Sequence, residues 1–325
     1  MLYSPINSES FFVSLEKALT NPHDIGSSIK RLQQALNRTA VGKLYPSNQG
    51  NMVVFYTVVD GIQKYLSKRS ESLYPLARRR YLELLLEILK LTYSTKKIDI
   101  EKRTRLISKL KSFIDSCERG NLDIARIVLT SKQYKWYMGR FRQKSIDINT
   151  PFRSTCGIPV RSKSERDILN ACEGLAVPFH YEEQQIIYVK PMVDKLERDL
   201  VNKGVIRGHV YSYNNGYIHW NVPAELEWMN APGSIWMTYY PPNGTIGIYN
   251  DIKVMLADEE IIIWEHEGLM EIFTYRFNAS ERAAIMKYTE CVSKGNLIET
   301  YERDIDTPEK IIDIIERYIL PRLWF

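Results

Sequence analysis

The sequence predicts a mixed α/β protein, with a basic helical domain over residues 1–150 and an α/β domain over residues 160–325. Apolar residues recur at helical spacing through the first part, whereas residues 251–267 show the alternating and continuous apolar patterns of β-strands. The chain has 325 residues, which is enough for two domains of ordinary size. A change in charge coincides with the predicted boundary.

The charge is divided unevenly along the chain. Residues 1–150 contain 26 basic and 13 acidic side chains, a net charge of +13, and the remaining residues contain 18 basic and 26 acidic side chains, a net charge of −8. A basic part joined to an acidic part is typical of a polyanion-binding domain beside a domain with another role. The alternative is a helical domain that simply carries Lys and Arg on its solvated faces.

Most of residues 1–150 read as helices. A leucine-rich stripe predicts a buried helix over residues 74–91, and a second helix over residues 100–117 is followed by Gly120 as a predicted C-cap. Residues 78–80 are arginines near the start of the first helix, where the helix dipole disfavours cations, so we expect an anion there. Residues 52–66 are apolar without a clear period.

The segment of residues 132–144 is the candidate nucleic-acid-binding stretch, because aromatic and basic side chains alternate along it. Cations attract phosphates, and bases can stack on aromatic rings. In the alternative interpretation the rings lie in the core and the cations reach into water. The candidate residues are Lys132, Lys135, Trp136, Arg140, Arg142 and Lys144.

The predicted linker, residues 144–162, holds two prolines and a glycine and has little periodicity. Ser162 or Ser164 is expected to cap the helix that follows. A strand is predicted over residues 179–189, and short strands and loops over residues 211–248, which are rich in aromatic residues, Gly, Asn and Pro.

Two strands in the second domain carry carboxylates at neighbouring ends. Apolar residues alternate over residues 252–256 after Asp251, and the continuous apolar run 261–264 leads into Glu265. In a hairpin these two carboxylates would lie side by side, an arrangement that is costly unless a cation lies between them. Oxygen ligands suit Mg²⁺ or Mn²⁺, so the pair predicts a metal site. The alternative is that both side chains lie in water.

Other classes of protein are disfavoured. No apolar run approaches the roughly 18 residues that a membrane helix needs, so no membrane partner is expected. The N-terminal residues do not resemble a secretory signal. The widely spaced cysteines suggest neither a zinc site nor a disulfide framework, and a cytoplasmic location is expected. These cysteines are Cys117, Cys156, Cys172 and Cys291.

The order of motifs in the second domain resembles that of the PD-(D/E)XK nuclease superfamily. The motifs are a helix starting at SKSE, a strand with HYEE, the Asp251 strand, a strand ending in WEHEG, and a helix bearing Lys287 before NLIETYE. The resemblance covers roughly residues 160–320 and leaves out the N-terminal half. It implies a restriction-endonuclease-like α/β/α sandwich with a mixed sheet.

Three acids match the motifs of this superfamily. Glu165 matches the acid of the first helix, Asp251 the Asp of the Pro-Asp motif, and Glu265 the first acid of the (D/E)XK motif. The resemblance implies that Asp251 and Glu265 bind Mg²⁺ or Mn²⁺ and that Glu165 holds a metal ion or its water. Asn250 replaces the motif proline.

One departure from the motif concerns the catalytic lysine. Glu267 stands where the superfamily has Lys, and Lys287 on the next predicted helix could supply the missing cation. His266 between the acids would either donate to a phosphate or a ligand, or act as a supporting core histidine. These residues complete the candidate catalytic set.

The resemblance implies a magnesium-dependent nuclease, in the first place an endodeoxyribonuclease that acts on DNA and that could form a homodimer. The first alternative is a catalytically inactive nucleic-acid-binding or interaction protein on a nuclease fold, which the Glu267 departure favours. The second alternative is a nuclease that acts on RNA.

Overall fold

A computed structural model describes residues 6–20, 23–50, 52–93, 100–139, 150–188, 198, 202, 211–214, 217–221, 235–239, 245–268 and 296–325. It divides into two compact units. The first unit comprises Met1–Phe179, Val254–Glu260 and Thr307–Phe325, and the second comprises His180–Lys253 and Ile261–Asp306. The predicted helical N-terminal region and the mixed α/β class are confirmed.

The first unit is mainly helical. Its helices are α1 (Ser8–Thr20), α2 (Ile25–Asn37), α3 (Leu73–Tyr93), α4 (Ile100–Arg119), α5 (Ile124–Val128), α6 (Ser131–Gly139) and α7 (Lys163–Gly174). Its last segment holds α8 (Pro308–Ile314), a π-helical turn (Ile315–Ile319) and α9 (Leu320–Leu323). The predicted leucine stripe is buried along α3, which packs against α2 and α4.

The C-terminal segment supplies part of the first unit's core. The Trp324 ring meets Phe11 of α1 edge to face, with ring centroids 4.9 Å apart, and its Nε1–H donates to Ser14 Oγ at 2.8 Å. Such a ring pair and hydrogen bond together fix one orientation of a large side chain. The core of this unit is therefore built from both the first and the last described residues.

Residues 44–50 and 52–66 contain a three-stranded antiparallel sheet, which the apolar pattern of the sequence did not predict. The strands are β1 (Leu44–Gln49), β2 (Met52–Val59) and β3 (Ile62–Leu66), in the order β1-β2-β3. Asp60 and Gly61, between β2 and β3, both have positive φ, 52° and 76°. Positive φ at both central residues is what a two-residue type I′ hairpin requires, and Asp-Gly is a preferred pair for it.

The arginines at residues 78–80 lie in the second turn of α3, and each of them has a protein partner. The Arg78 guanidinium donates to the carbonyls of Ile127 (2.9 Å) and Leu129 at the end of α5, and burial lowers its pKa. Arg79 Nε lies 3.0 Å from Glu83 Oε1. Backbone carbonyls at a helix C-terminus attract cations. They account for Arg78 without the anion that the sequence analysis expected.

The second unit contains a four-stranded mixed sheet in the order β10-β9-β8-β4. Its strands are β4 (Phe179–Tyr188), β8 (Thr245–Met255), β9 (Ile261–Glu267) and β10 (Leu297–Tyr301). β9 and β10 are parallel. A separate antiparallel sheet comprises β5 (Tyr211–Asn214), β6 (Tyr217–Asn221) and β7 (Ile235–Tyr239). No helix in the described ranges is long and apolar enough to cross a membrane.

Candidate active site

Asp251 on β8 and Glu265 on β9 lie next to each other in the four-stranded sheet. The Asp251 amide donates to Glu265 Oε1 at 3.3 Å, and the His266 amide donates to Asp251 Oδ2 at 2.8 Å. Only 5% of Asp251 and 1% of Glu265 is exposed. Each carboxylate is thus held by an amide of the neighbouring strand, and the expected juxtaposition of the two acids is present.

Further acidic groups share this face of the sheet. Residues opposite each other, and residues two apart on a strand, point to the same face. Glu267 follows Glu265 by two positions and is 4% exposed, while Glu299 and Tyr301 on β10 stand opposite Glu265 and Glu267. Burial raises the pKa of Tyr301, and the charges of Glu299 and Glu267 raise it further. The face has a negative potential that would attract a cation.

His266 points to the opposite face of the sheet from Glu265. Its Nδ1 lies 3.3 Å from the Thr300 hydroxyl, which accepts a hydrogen bond from Trp264 Nε1 at 2.9 Å. Its Nε2 lies 3.3 Å from Glu302 Oε1. The ring is buried and the neighbouring side chains fix its orientation. This geometry favours the supporting role for His266 over direct contact with a phosphate.

A buried lysine that no sequence motif predicted lies on the same strand as Asp251. Lys253 follows Asp251 by two positions on β8 and is 8% exposed. Its Nζ lies 3.2 Å from Glu183 Oε2 on β4, and His180 Nδ1 lies 3.1 Å from Glu183 Oε1. Lys253 therefore places a positive charge on the strand that carries Asp251. The sequence signal was a Lys on the polar side of an alternating strand.

Glu183 is shared between these two partners. Burial alone would raise its pKa, but the hydrogen bond to His180 and the charge of Lys253 outweigh burial and hold the pKa of Glu183 below its usual value. The preceding residue, Glu182, is buried and has a φ of 52°, a left-handed conformation that is strained for a side chain other than Gly. Such a residue inside a strand redirects the side chains beside it.

Glu165 lies at the start of α7, in the first unit. Ser162 is the N-cap of α7, as predicted, and its side chain accepts from the Glu165 amide at 3.1 Å. Glu165 Oε2 accepts from the Arg161 amide at 2.9 Å, and the side chain is almost completely buried. One oxygen of this carboxylate therefore stabilises the helix start.

The aromatic and basic stretch is described only in part. On α6, Lys132 and Lys135 are exposed, Trp136 is half-buried and Tyr137 is buried. Lys132 Nζ pairs with Glu259 Oε2 at 2.9 Å. Arg140, Arg142, Lys144 and Lys287 lie outside the described residues, so their predicted roles stay predictions.

Tyr134, on the same helix, makes a hydrogen bond within the first unit. Its hydroxyl donates to Asp123 Oδ2 at 2.8 Å. Burial, followed by this hydrogen bond, raises the pKa of Tyr134 to about 12. Tyr134 and Tyr137 therefore fit the alternative interpretation of aromatics that pack within the protein, while Lys135 and Trp136 leave a polar and aromatic surface on α6.

In the part of the chain that the structure describes, no three His, Cys, Asp or Glu side chains are placed to hold one metal ion. The acids of the sheet therefore offer a pair of ligands, Asp251 and Glu265, and not a closed protein cage. No protein-family model, curated protein sequence or solved structure matches this chain.

Proposed function

We propose that the chain is a metal-dependent nuclease that hydrolyses phosphodiester bonds of DNA, on a restriction-endonuclease-like fold. The observation that carries this proposal is the buried pair Asp251 and Glu265, held side by side by amides of the neighbouring strands. Two buried carboxylates next to each other favour a bound cation. The motif order along the sequence supports the same function.

The pair fits magnesium better than a metal that needs a complete protein cage. Mg²⁺ is commonly bound through one or two carboxylates, with water and substrate phosphate as the other ligands. Asp251 Oδ2 and Glu265 Oε1 each accept one amide hydrogen bond, which fixes the orientation of both carboxylates. We propose these two residues as the metal ligands, whereas the role of Glu165, which only the resemblance implies, stays a prediction.

Charged side chains of the protein would supply the catalytic functions other than metal binding. When bound, a divalent cation polarises the phosphate and lowers the pKa of a coordinated water. Lys253 lies on the same face of β8 as Asp251 and would stabilise the negative charge that develops on the phosphate. Lys287 remains the second candidate for that role. His266 would hold the end of β9 in place through Thr300 and Glu302.

Cleavage assays test the proposal directly. The protein would be incubated with supercoiled plasmid, single-stranded DNA and RNA, each with Mg²⁺, Mn²⁺ or EDTA. Asp251→Asn and Glu265→Gln keep an oxygen that can accept the amide hydrogen bond but remove the charge. We expect each to slow metal-dependent cleavage by a factor of about 100 or more. Glu309→Gln, an exposed position on α8, is the matched control and should cleave at the wild-type rate.

The results separate the substrates and the alternatives. Cleavage that persists in EDTA, or full activity in either site variant, would refute the metal pair. Faster cleavage of RNA than of DNA would favour the ribonuclease alternative. A second candidate function, a nucleic-acid-binding protein that does not cleave, is supported by Glu267, a buried carboxylate where the resemblance calls for a lysine. Binding without cleavage in any of the metal conditions would favour it.

A further inference from the structure

Three tyrosines form a stripe across one face of the small sheet in the first unit. Tyr45 of β1 stands opposite Tyr56 of β2, which in turn stands opposite Tyr65 of β3. Tyr45 is 44% exposed and Tyr65 60% exposed, and the rings of Tyr56 and Tyr65 meet edge to face at 5.9 Å. Opposite residues in neighbouring strands share a face, so the three rings line one side of the sheet.

This outer face carries no charged residue within its strands. Strand alternation separates it from the inner face, where Val53, Phe55 and Thr57 are buried. The outer residues, apart from the tyrosines, are Ser47, Gln49, Met52, Val54, Val58 and Gln63. The Gln49 side chain donates to the Tyr56 hydroxyl at 2.8 Å, which orients that ring. The outer face therefore offers aromatic rings on an otherwise neutral surface.

A cationic cavity of about 440 Å³ lies along the edge strand β1, where Tyr45 of the stripe lines it together with the inner-face residues Leu44 and Pro46. Three cations line it, and they come from separate parts of the unit: Lys43 before β1, Arg80 on α3 and Lys109 on α4. None of the described residues that line it is acidic. Glu83 is the carboxylate that pairs with Arg80, at 3.5 Å. The cavity therefore attracts an anion more strongly than the neutral face beside it does.

We propose that the tyrosine stripe (Tyr45, Tyr56 and Tyr65) and the cationic cavity together bind a single-stranded nucleic acid. Bases of a single strand can stack on exposed rings, and its phosphates bind in a positively charged groove. Tyr45 belongs to both the stripe and the cavity. A duplex buries its base faces within its own stack and cannot place them on the rings. A neutral protein partner would match the uncharged face but would leave Lys43 and Lys109 of the cavity without a complementary charge.

This surface uses other residues than the aromatic and basic stretch of residues 132–144, and its binding does not depend on cleavage. It would give the first unit a means of holding an unpaired strand whatever the chemistry of the acidic pair. The test is therefore a binding measurement in EDTA with the full chain. If the protein did not cleave nucleic acids, this binding proposal would still stand. If it did not bind single strands, the proposed metal pair of Asp251 and Glu265 would still stand.

The experiment uses fluorescence anisotropy with a labelled oligothymidylate of about 12 nucleotides, a uridylate of the same length and a duplex as probes. We expect Tyr65→Ala and Tyr45→Ala each to weaken single-strand binding by about five- to 100-fold, in line with the loss of one stacked base. Lys43→Ala and Lys109→Ala should weaken it and reduce the slope of log K against log salt by about 0.7 each.

Matched controls distinguish this surface from general effects of charge or aromatic content. Lys111→Ala removes an exposed lysine from α4 that does not line the cavity, and Tyr318→Ala removes an exposed tyrosine from the π-helical turn. Both should bind as the wild type does. The thermal midpoint of each variant shows whether it is folded.

Several results would overturn the proposal. Tyr45→Ala, Tyr65→Ala and the two cavity lysine variants could bind single strands as well as their controls do. The duplex could bind more tightly than the single strands, or no strand could bind at all. If sedimentation showed instead that the tyrosine variants dissociate a dimer, the sheet face would be a protein interface. Equal binding of the thymidylate and uridylate probes supports the proposal and shows recognition without use of the 2′-hydroxyl.

Discussion

At the scale of single residues, Lys253 has two acidic neighbours, and each gives it a different role. Its ammonium pairs with Glu183 on one side, and it lies on the same strand face as Asp251 on the other. Removing one partner of a buried ion pair leaves the other charge uncompensated, which costs more than the net stabilisation from the pair. Loss of Lys253 should therefore affect both stability and cleavage, and the two effects must be measured apart.

Lys253→Ala tests the cation of the proposed nuclease. We expect single-turnover cleavage to slow by about 100-fold, because one electrostatic stabiliser of the transition state is lost. Combining it with Glu183→Gln removes the uncompensated carboxylate, so the double variant should recover thermal stability without recovering rate. Lys287→Ala is measured beside it. A large loss for Lys287→Ala with none for Lys253→Ala would reverse the assignment of the catalytic cation.

Glu183 gives a prediction about acid stability. Its pKa is depressed in the folded protein, so its stabilisation is complete above the unfolded pKa of about 4.3 and is lost as the pH falls through the folded value. Glu183→Gln should therefore lower the thermal midpoint at pH 7, and its difference from the wild type should shrink as the pH falls below about 4.3. Thermal midpoints measured from pH 3 to 7 for both proteins should show that the difference between them decreases as the pH falls. A gap that stays constant would contradict the ion pair.

At the scale of elements, two helices end in similar ways although their glycines have different roles. α4 is followed by Gly120 and α7 ends at Gly174, but the residues with positive φ are Asn121 (57°) and Ala176 (52°). A left-handed residue commonly terminates a helix. After α4, the left-handed residue is therefore Asn121 and not the predicted C-cap Gly120. Gly120 is required for another reason.

Gly120→Ala should destabilise the protein by about 1–3 kcal/mol through overpacking. A Cβ at this position would lie 2.5 Å from Phe55 Cε2, a buried ring of the small sheet, and 3.2 Å from the Ser116 carbonyl. Gly174→Ala is the matched control, because nothing lies within 4 Å of its Cβ position. Urea unfolding of both variants measures the difference. Equal midpoints would mean that the Phe55 ring moves aside without cost.

The elements also show which features could be predicted from sequence. Periodicity alone was sufficient for α3, for α4 and for the carboxylate-bearing strands β8 and β9, because each has a local apolar pattern. The small sheet was missed although Asp60-Gly61 is a local hairpin signal. The pairing of Lys253 with Glu183 could not be predicted, because it depends on β4 and β8 being neighbours in the sheet while far apart in sequence.

At the scale of the whole molecule, the first unit is assembled from three separate stretches of the chain. Gln133 of α6 joins all three, because its side-chain amide donates to the Met255 carbonyl at 3.0 Å and to the Leu323 carbonyl at 3.2 Å. The side chain is 1% exposed. Buried carbonyls that lose their hydrogen-bond donor have no replacement for the hydrogen bonds that they make to water in the unfolded chain.

Gln133→Met keeps the length of the side chain but removes both donated hydrogen bonds and the one that Gln133 Oε1 accepts from the Thr130 amide at 2.9 Å. We expect it to lower the free energy of unfolding by about 1–3 kcal/mol, measured by urea denaturation. Gln34→Met, at an exposed position on α2, is the control and should unfold as the wild type does. If both variants unfolded alike, the three hydrogen bonds of the Gln133 side chain would contribute nothing net to stability.

The discontinuous first unit has a consequence for the order in which the protein is made. Its helices α1 to α7 leave the ribosome early, but the core around Phe11 and Ser14 is completed only by Trp324. Contacts between residues so distant in sequence slow folding and extend the time during which apolar surface is exposed. The helices α1 to α7 are therefore translated well before Trp324, the residue that completes this part of their core. A fragment of residues 1–150 would keep that surface exposed permanently, and should precipitate or recruit chaperones.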